Sequence, residues 1–441
     1  MNYTTLRQIA RRCLPGCIQK CLSSLAGMKC CWEARYVLPK MRHYYASPAY
    51  DKVRAARLAE LRRKERISVV FPIESMPKWK ADSLLRLMKE HPRFAPSIRL
   101  KAAGDAAIKA YAASLGVPCL EFSSYETLPA DCAADVVFVP SPYDGDVCLS
   151  ASNRGIMKHN ICYIPYGFFS IGNDWTMNQV ANNAALFNLY ENELSYRQAA
   201  AMMENKARNV RMVGHTMADA FLNPEARRTS VWKDCGKPMK KVIWAPHWTV
   251  SNTDNWFHSG NFLQLSDVMV QLAQKYAGEI QFAFKPHPGL YGTLSKPDFW
   301  GKEKTDAYYR LWAEMPNTQL ETGTYAALFM QSDAMVHDSS SFIIEYMFAD
   351  KPALFLRRGK GFEGYTPLAY EALKCYHIGV TGEEIDAFLQ ACVLGSDDPY
   401  AEVRREYRRR YLIPPHGVSA AQNVIDCLLG QGAYAEEPGE A

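Results

Sequence analysis

The sequence predicts an α/β protein in which two Rossmann-like domains face a cleft, with a basic helical extension at the N-terminus. The chain has 441 residues, 48% of them hydrophobic, which is too long for one core and apolar enough for two. Short apolar runs alternate with helical stretches in two separate series, as parallel strands and their crossover helices do. A polar stretch at residues 223–240 lies between the two series and is predicted to be the interdomain linker.

The first series begins where the basic extension ends, and the second follows the linker. Predicted strands of the first lie at residues 67–72, 98–100, 119–122, 135–140, 161–165 and 210–214, with helices at 81–90 and 103–114. The second has strands at 241–246, 280–285, 334–337 and 353–356, with helices at 261–276, 306–315, 341–348, 383–394, 400–411 and 419–429. We therefore expect an arm at 1–66, Rossmann-like domains at 67–225 and 226–418, and a C-terminal helix with an acidic tail at 419–441.

The N-terminal extension carries most of the positive charge. Residues 1–66 hold 15 Lys or Arg against 4 acidic residues, a net charge of +11, so the remainder of this +5 chain carries −6. Helices interrupted at Pro15, Pro39 and Pro48 place apolar and basic residues on opposite faces, which suits an anionic membrane surface. An arm solvated by its charges, or packed on a partner subunit, is the alternative. Nucleic-acid binding is not predicted, because the whole excess of basic residues lies in the arm, which contains no known nucleic-acid-binding motif.

Segment lengths and cysteine usage indicate a cytoplasmic protein. No apolar run approaches the roughly 20 residues that a spanning helix needs. A signal-peptide core is excluded because Arg11, Arg12, Pro15 and Lys20 interrupt it. The 13 cysteines are odd in number and lack CxxC pairs, which is typical of reduced thiols. We expect a cytoplasmic location, peripheral on the inner face of the cell membrane if the arm binds lipid.

A serine-rich turn in the second series is the most informative segment of the chain. Ser339, Ser340 and Ser341 follow the predicted strand that ends at His337 and precede a helix. Their hydroxyls and the unpaired N–H groups of the helix start would suit a diphosphate. The alternative is that Asp338 or Ser339 is only an N-cap.

Two further strand ends of the second series carry cations or histidines. Lys285 and His287 lie in a proline-stiffened turn after one strand, and His247 follows another near the interdomain cleft. Residues at the carboxyl ends of parallel strands line the crevice where ligands bind in open α/β sheets. The loops at His247, His287 and Ser339 to Ser341 are therefore predicted to meet around a single diphosphate.

In this combination of segments the chain resembles the CDP-glycerol glycerophosphotransferases, which prime and polymerise teichoic-acid-like glycerol phosphate chains and related capsule polymers. The resemblance rests on Ala245-Pro-His-Trp-Thr, Lys285-Pro-His-Pro and His337-Asp-Ser-Ser-Ser followed by Lys351-Pro. The N-terminal half is similar more weakly, at Ile67-Ser-Val-Val-Phe, Trp79, Ser141-Pro-Tyr-Asp and Tyr163-Ile-Pro-Tyr-Gly-Phe. The resemblance implies a GT-B fold with the acceptor in the N-terminal domain and the donor in the C-terminal one.

Carried over by position, the resemblance also implies roles for single residues. The donor pyrophosphate would be held by the serine turn with Asp338 and Lys285, and His287 would contact it. Glu345 would reach the ribose hydroxyls of the donor. His247 would contact the donor phosphate or the transferred group. A glutamate early in a helix also favours the helix dipole without any ligand, so a structural role of Glu345 stays open.

The general base is the point at which this sequence departs from the family. Family polymerases carry a His-Gly turn whose histidine is thought to activate the acceptor, and the comparable turn here is Tyr166-Gly167. Asp144, Glu74 and Tyr166 are the replacement candidates, since all lie near predicted strand ends facing the cleft. His287 and His247 complete the set of candidate catalytic residues.

No metal or other cofactor is predicted, because Lys285, His287 and the serine turn supply the charge that a nucleotide donor needs. Asp144-Gly-Asp146 is interpreted as a loop turn, not a metal site. Predicted partners are CDP-glycerol as donor and a lipid-linked glycan or polymer as acceptor. Two alternatives stay open: a GT-B glycosyltransferase that uses a nucleotide sugar for capsule or lipopolysaccharide, and an inactive scaffold of a polymer-assembly complex.

Overall fold

Two parallel β-sheets covered by helices form the molecule. The computed structural model describes residues 33–100, 106–127, 134–143, 147–148, 155–172, 174–228, 230–250, 260–357 and 364–435. In these ranges the N-terminal sheet consists of β1 Ile67–Pro72, β2 Phe94–Leu100, β3 Cys119–Glu121, β4 Val136–Val139, β5 Asn160–Tyr163, β6 Phe187–Tyr190 and β7 Val210–Met212. The C-terminal sheet consists of β8 Lys240–Ala245, β9 Ile280–Phe284, β10 Thr318–Leu320, β11 Ala334–His337, β12 Ala353–Leu356 and β13 His377–Gly379.

Strand order places a ligand crevice in each sheet. The N-terminal sheet runs β3-β2-β1-β4-β5-β6-β7 and the C-terminal sheet runs β10-β9-β8-β11-β12-β13. In both, the order reverses beside the first strand, and such a switch point opens a crevice at the strand carboxyl ends. Strands β4, β9 and β11 are buried along their whole length, as expected where helices cover both faces.

Helices flank both sheets. The N-terminal half has helices Leu38–Tyr45, Pro48–Arg63, Asp82–Glu90, Ala106–Leu115, Asp174–Met177, Val180–Ala184, Glu193–Met202, Thr216–Leu222 and Glu225–Arg228. The C-terminal half has Phe262–Lys275, Pro288–Leu294, Gly301–Glu314, Ala326–Met330, Phe342–Glu345, Pro367–Leu373, Gly382–Phe388, Ala401–Tyr411 and Ala420–Leu429. Within the described ranges, no helix combines the length and apolar character needed to cross a membrane.

The last helix returns to the N-terminal half. In Ala420–Leu429, Val424, Ile425 and Leu428 are buried in the same apolar core as Leu84 and Met88 of the helix Asp82–Glu90. The first two amides of this helix donate to Asp219, at 2.8 and 3.0 Å, so the carboxylate satisfies N–H groups that no helical carbonyl can reach. The chain therefore crosses from the C-terminal sheet back to the N-terminal one at its end. The predicted domain boundaries themselves stay predictions.

The described part of the basic extension is packed on the N-terminal sheet. Ser47 caps the helix Pro48–Arg63 by accepting from the Tyr50 amide at 3.3 Å, and Leu58 and Leu61 enter the core. The Arg54 guanidinium, only 8% exposed, donates to the carbonyls of Asn183 and Ala185, at 2.8 and 3.0 Å. Arg54 thus satisfies the last carbonyls of a neighbouring helix instead of standing in solvent.

The helix breaks predicted at the prolines of this extension are only partly observed. Pro39 lies inside the first turn of Leu38–Tyr45, and Pro48 is the first residue of the next helix. Proline is tolerated at such positions because the missing N–H would have no helical acceptor there. The predicted break at Pro39 is therefore wrong, the break at Pro48 is confirmed, and Pro15 lies outside the described residues.

An apolar interface joins the two halves. Phe221 of the N-terminal half stacks on Phe348 of the C-terminal half, with ring centroids 4.8 Å apart and planes 5° apart. The Thr366 amide donates to the Ser170 carbonyl at 2.8 Å, so backbone contacts add to this interface. The crevices of the two sheets are consequently held close to each other by packing.

Candidate active site

Three neighbouring strand ends of the C-terminal sheet bring their polar residues together. Strands β9, β8 and β11 are adjacent in the sheet, and His287, His247 and Asp338 follow them. The rings of His247 and His287 lie with their centroids 5.0 Å apart. The His287 amide donates to the Pro246 carbonyl at 3.0 Å, which ties the two loops directly. Residues distant in the chain thus form one cluster.

Asp338 ties the β11 loop to the loops beside it. Its carboxylate accepts from the His247 backbone amide at 2.6 Å and from the Asn261 backbone amide at 2.5 Å. Asn261 in turn donates its side-chain amide to the Leu356 carbonyl at the end of β12, at 3.0 Å. Burial of this 1% exposed carboxyl raises the pKa of Asp338 to about 7, although the amide donors act against the rise. Asp338 therefore holds together the loop after β11, the loop after β8 and the segment at Asn261.

Both clustered histidines are neutral at pH 7 and have a defined tautomer. Burial lowers the pKa of His247 to about 3 and that of His287 to about 4. The Gly289 amide donates to Nδ1 of His287 at 3.0 Å, so in the neutral ring the proton sits on Nε2. In His247, Nδ1 lies 2.8 Å from Thr249 Oγ1 and accepts from the Thr249 amide at 3.4 Å. Each ring thereby has an Nε2–H group suited to a phosphate oxygen.

Lys285 and Glu345 belong to a second cluster, which also includes a residue of the other half of the chain. Lys285 Nζ donates to the Gly323 carbonyl at 3.1 Å and lies 5.1 Å from the centroid of the Tyr325 ring. The Tyr325 hydroxyl donates to Glu345 Oε2 at 2.7 Å and accepts from Lys80 Nζ at 3.0 Å. Burial lowers the pKa of Lys285 to about 8 and raises the pKa of Glu345. The cluster thus crosses the interdomain cleft.

The serine turn has less helix behind it than predicted. Ser339 and Ser340 are buried and Ser341 is exposed, while the α-helix spans only Phe342–Glu345 before a 3₁₀ turn at Tyr346–Ala349. The predicted continuous helix at 341–348 is therefore wrong in its second half. Neither Asp338 nor Ser339 is the N-cap: Ser341 takes that position and its side chain makes no capping hydrogen bond. Binding of a diphosphate by these serines stays a prediction.

The N-terminal wall of the cleft contains two of the three candidate bases. Glu74 and Tyr166 line one open cavity, and Lys80 lies in the same wall. Glu74 is exposed and paired with Lys78 at 3.0 Å. A Cβ atom added to Gly167 would lie 3.8 Å from Glu345 Oε1, so the Tyr166-Gly167 turn faces the C-terminal cluster. Asp144 lies outside the described residues.

The part of the chain that the structure describes contains no preformed metal site. No group of three or more His, Cys, Asp or Glu side chains is placed there to hold an ion. Asp144 and Asp146 fall outside that part, so metal-independent chemistry stays a prediction.

Three residues of these clusters, Asn261, Tyr325 and Lys80, escaped the sequence prediction. Asn261 is an ordinary polar residue at a predicted helix start. Lys80 lies in the segment between β1 and the next α-helix, and this segment starts at the carboxyl end of a strand, where open α/β sheets bind their ligands. Only the fold brings all three to the cleft.

Comparison with known proteins identifies the relatives of the chain. The sequence model of the CDP-glycerol:poly(glycerophosphate) glycerophosphotransferases matches residues 173–426, more than half of the chain. Among curated protein sequences, none matches it.

Solved structures share the fold at low sequence identity. UDP-GlcNAc 2-epimerase from Neisseria meningitidis, bound to UDP-GlcNAc, matches 83% of this chain and 100% of its own, at 14% identity and a TM-score of 0.54. A histidine-to-asparagine variant of the wall teichoic acid polymerase TagF matches 88% of this chain and 92% of its own, at 13% identity and 0.57. The same variant soaked with CDPG matches 85% and 93%, at 14% identity and 0.56.

The fold and the family predicted from the sequence are both confirmed. These neighbours have the GT-B-like arrangement of two facing Rossmann-like domains, and the two parallel sheets of this chain follow it. Since the match covers more than half of the chain, including strands β6 and β7 and the whole C-terminal sheet, the chain belongs to the CDP-glycerol:poly(glycerophosphate) glycerophosphotransferase family.

Proposed function

We propose that the protein transfers glycerol phosphate from CDP-glycerol to a hydroxyl group of a lipid-linked glycan or polymer during cell-surface polysaccharide synthesis. Family membership supports a glycerophosphotransferase, and the related TagF variant was soaked with CDPG. The observation that carries the proposal is the pair of neutral histidines, with ring centroids 5.0 Å apart, beside Asp338 at adjacent strand ends. Two uncharged N–H donors can approach one diphosphate together without the mutual repulsion of two imidazolium ions.

In the proposed reaction, an acceptor hydroxyl oxygen attacks the phosphorus that bears glycerol. The bond between this phosphorus and the bridging oxygen breaks, and CMP leaves with the bonding electron pair. The acceptor proton passes to a base on the N-terminal wall, for which Glu74 and Tyr166 are the described candidates. Nε2–H groups of His247 and His287 would stabilise charge on the phosphate oxygens, a contribution that depends on fixed geometry.

Donor identity is tested by ligand protection against thermal unfolding. We expect CDP-glycerol to stabilise the wild-type chain, by about 2.7 kcal/mol at a hundredfold excess over Kd, and UDP-N-acetylglucosamine to have no effect. The substitution His287→Ala should lower kcat/KM for CDP-glycerol about 10- to 100-fold, because one hydrogen bond to a charged group is lost. The measurements are melting curves with each ligand and a CMP-release assay.

The matched control is His43→Ala, which removes an exposed histidine remote from the cleft. Protection by the nucleotide sugar alone would instead indicate a glycosyltransferase activity. Failure of the wild type to turn over any donor that it binds would point to a scaffold.

We place the enzyme on the inner face of the cell membrane, because a lipid-linked acceptor is presented there. Deletion of residues 1–66 would damage the fold, because Leu58 and Leu61 belong to the apolar core and Arg54 donates to the Ala185 carbonyl. A chain lacking only residues 1–32 should keep its melting temperature and lose flotation with vesicles that contain anionic lipid. Equal flotation of the full and shortened chains would contradict a membrane role of this segment.

A further inference from the structure

Lys80 extends from the N-terminal half into the donor side of the cleft. It lies between β1 and the helix Asp82–Glu90, and Thr216 Oγ1 donates to its backbone carbonyl at 2.8 Å. Its ammonium group donates to the Tyr325 hydroxyl at 3.0 Å and lies 4.6 Å from the centroid of that ring. A residue of one half is thus held in a fixed position against the other.

Lys285 approaches the same ring, with its Nζ 5.1 Å from the ring centroid. An ammonium group has three N–H donors. Among the described contacts, Lys80 uses one of them on Tyr325, and Lys285 uses one on the Gly323 carbonyl. Two cations from different halves of the chain therefore keep unused donors around one tyrosine.

Neither ammonium group has a direct carboxylate partner among the described residues. Glu345 acts on both cations through space and Glu321 acts on Lys285, but no carboxylate of the described ranges forms an ion pair with either lysine. Burial lowers the pKa of both lysines, which shows how much solvation their charges have lost. Buried charges are normally paired, so this arrangement is suited to an anion that enters the cleft.

We propose that Lys80 and Lys285 form a two-domain cation clamp on the phosphate group that is transferred. This inference rests on the proposed function and adds a donor ligand from the N-terminal half. A phosphate offers several oxygens to the spare N–H groups of both lysines, and charge on its oxygens must be stabilised during transfer. A clamp drawn from both halves also couples phosphate binding to closure of the cleft.

The experiment compares Lys80→Met and Lys80→Arg in the full chain. Lys89→Met is the matched control, because Lys89 is an exposed lysine at the far end of the next helix. Three probes are used in thermal unfolding: CDP-glycerol, inorganic pyrophosphate, and CMP, which lacks the transferred phosphate. We expect Lys80→Met to lose protection by CDP-glycerol and pyrophosphate, to keep protection by CMP, and to lower kcat/KM about 10- to 100-fold. Lys80→Arg should restore part of this loss.

The outcomes separate the clamp from a structural role and from the donor assignment. If Lys80 only holds the two halves together, Lys80→Met will weaken protection by CMP and by pyrophosphate to the same extent, which overturns the clamp. Unchanged pyrophosphate protection in a folded Lys80→Met chain also overturns it. If CDP-glycerol fails to protect even the wild type, the proposed donor is wrong. The pyrophosphate comparison then still decides the clamp.

Discussion

The substitution Asp338→Ala is expected to lower the free energy of unfolding by about 2–6 kcal/mol and to abolish protection by CDP-glycerol. Its carboxylate is the acceptor for the backbone amides of His247 and Asn261, at 2.6 and 2.5 Å, and both residues are buried. Leaving a buried N–H group without an acceptor costs about 1–3 kcal/mol for each group. The loops that position His247 and Asn261 would lose their common anchor. Urea unfolding and ligand-dependent melting measure the two effects.

Asp333 provides a matched control at the opposite end of the same strand. Its carboxylate accepts from the Lys241 amide of β8 at 2.8 Å, just as Asp338 accepts from the amide that follows β8. Asp333→Ala removes the same kind of hydrogen bond at the amino end of β11, where Asp333 is half-buried. We expect a smaller loss of stability and full protection by CDP-glycerol. Equal losses of stability and of CDP-glycerol protection in the two variants would contradict the role of Asp338 in holding these loops together.

Acidification from pH 6.5 to 5 is expected to destabilise the fold steeply. Burial lowers the pKa of His215, His247 and His337 to about 3 and that of His287 to about 4. Below the ordinary pKa of histidine, about 6.5, the unfolded chain therefore binds protons that the folded chain does not. Asp338 opposes them, because its pKa of about 7 keeps a proton in the folded chain alone.

These five groups together give an uptake of up to three protons on unfolding, which corresponds to a loss of up to roughly 4 kcal/mol per pH unit. Burial also lowers the pKa of His377, which adds to the slope. Burial also raises the pKa of Glu191, Asp219 and Glu345, so these carboxyls reduce the slope toward its acidic end. Urea unfolding at a series of pH values measures the slope.

A single substitution checks the assignment of this slope to the buried histidines. Nδ1–H of His337 donates to the Ser339 carbonyl at 3.0 Å. His337→Gln supplies an amide donor for that carbonyl and does not titrate. We expect it to reduce the slope by about 1.4 kcal/mol per pH unit. A slope that His337→Gln leaves unchanged would refute the contribution of this histidine.

Strand prediction succeeded for most of both sheets and missed β6, β10 and β13. Val136–Val139 and Ala334–His337 were readable because central parallel strands are buried on both faces and therefore consist of apolar residues. Each missed strand contains a polar residue, Asn188 in β6, Gln319 in β10 and His377 in β13, and therefore forms no continuous apolar run. Strands β3 and β7 are as short as β10 and β13 and were predicted, so length alone does not decide.

The site was predictable to the extent that it sits at strand ends. His247, Lys285, His287 and Asp338 each follow a recognisable strand, and the general behaviour of open α/β sheets puts such residues in one crevice. Their hydrogen bonds were not predictable. That Asp338 accepts from His247 and Asn261, and not from a helix start, depends on loop paths that no local pattern encodes.

Amino-acid order was sufficient to specify the two α/β units, the family and the strand-end residues, because hydrophobic periodicity and turn motifs are local properties of a chain. Folding in three dimensions was required for the rest. It alone brings Lys80 within 3.0 Å of Tyr325 across the cleft, returns Ala420–Leu429 to the N-terminal core and buries His215, His247 and His337 in the neutral state. Contacts between residues hundreds of positions apart, and the loss of water that accompanies them, depend on packing and leave no signature in the sequence.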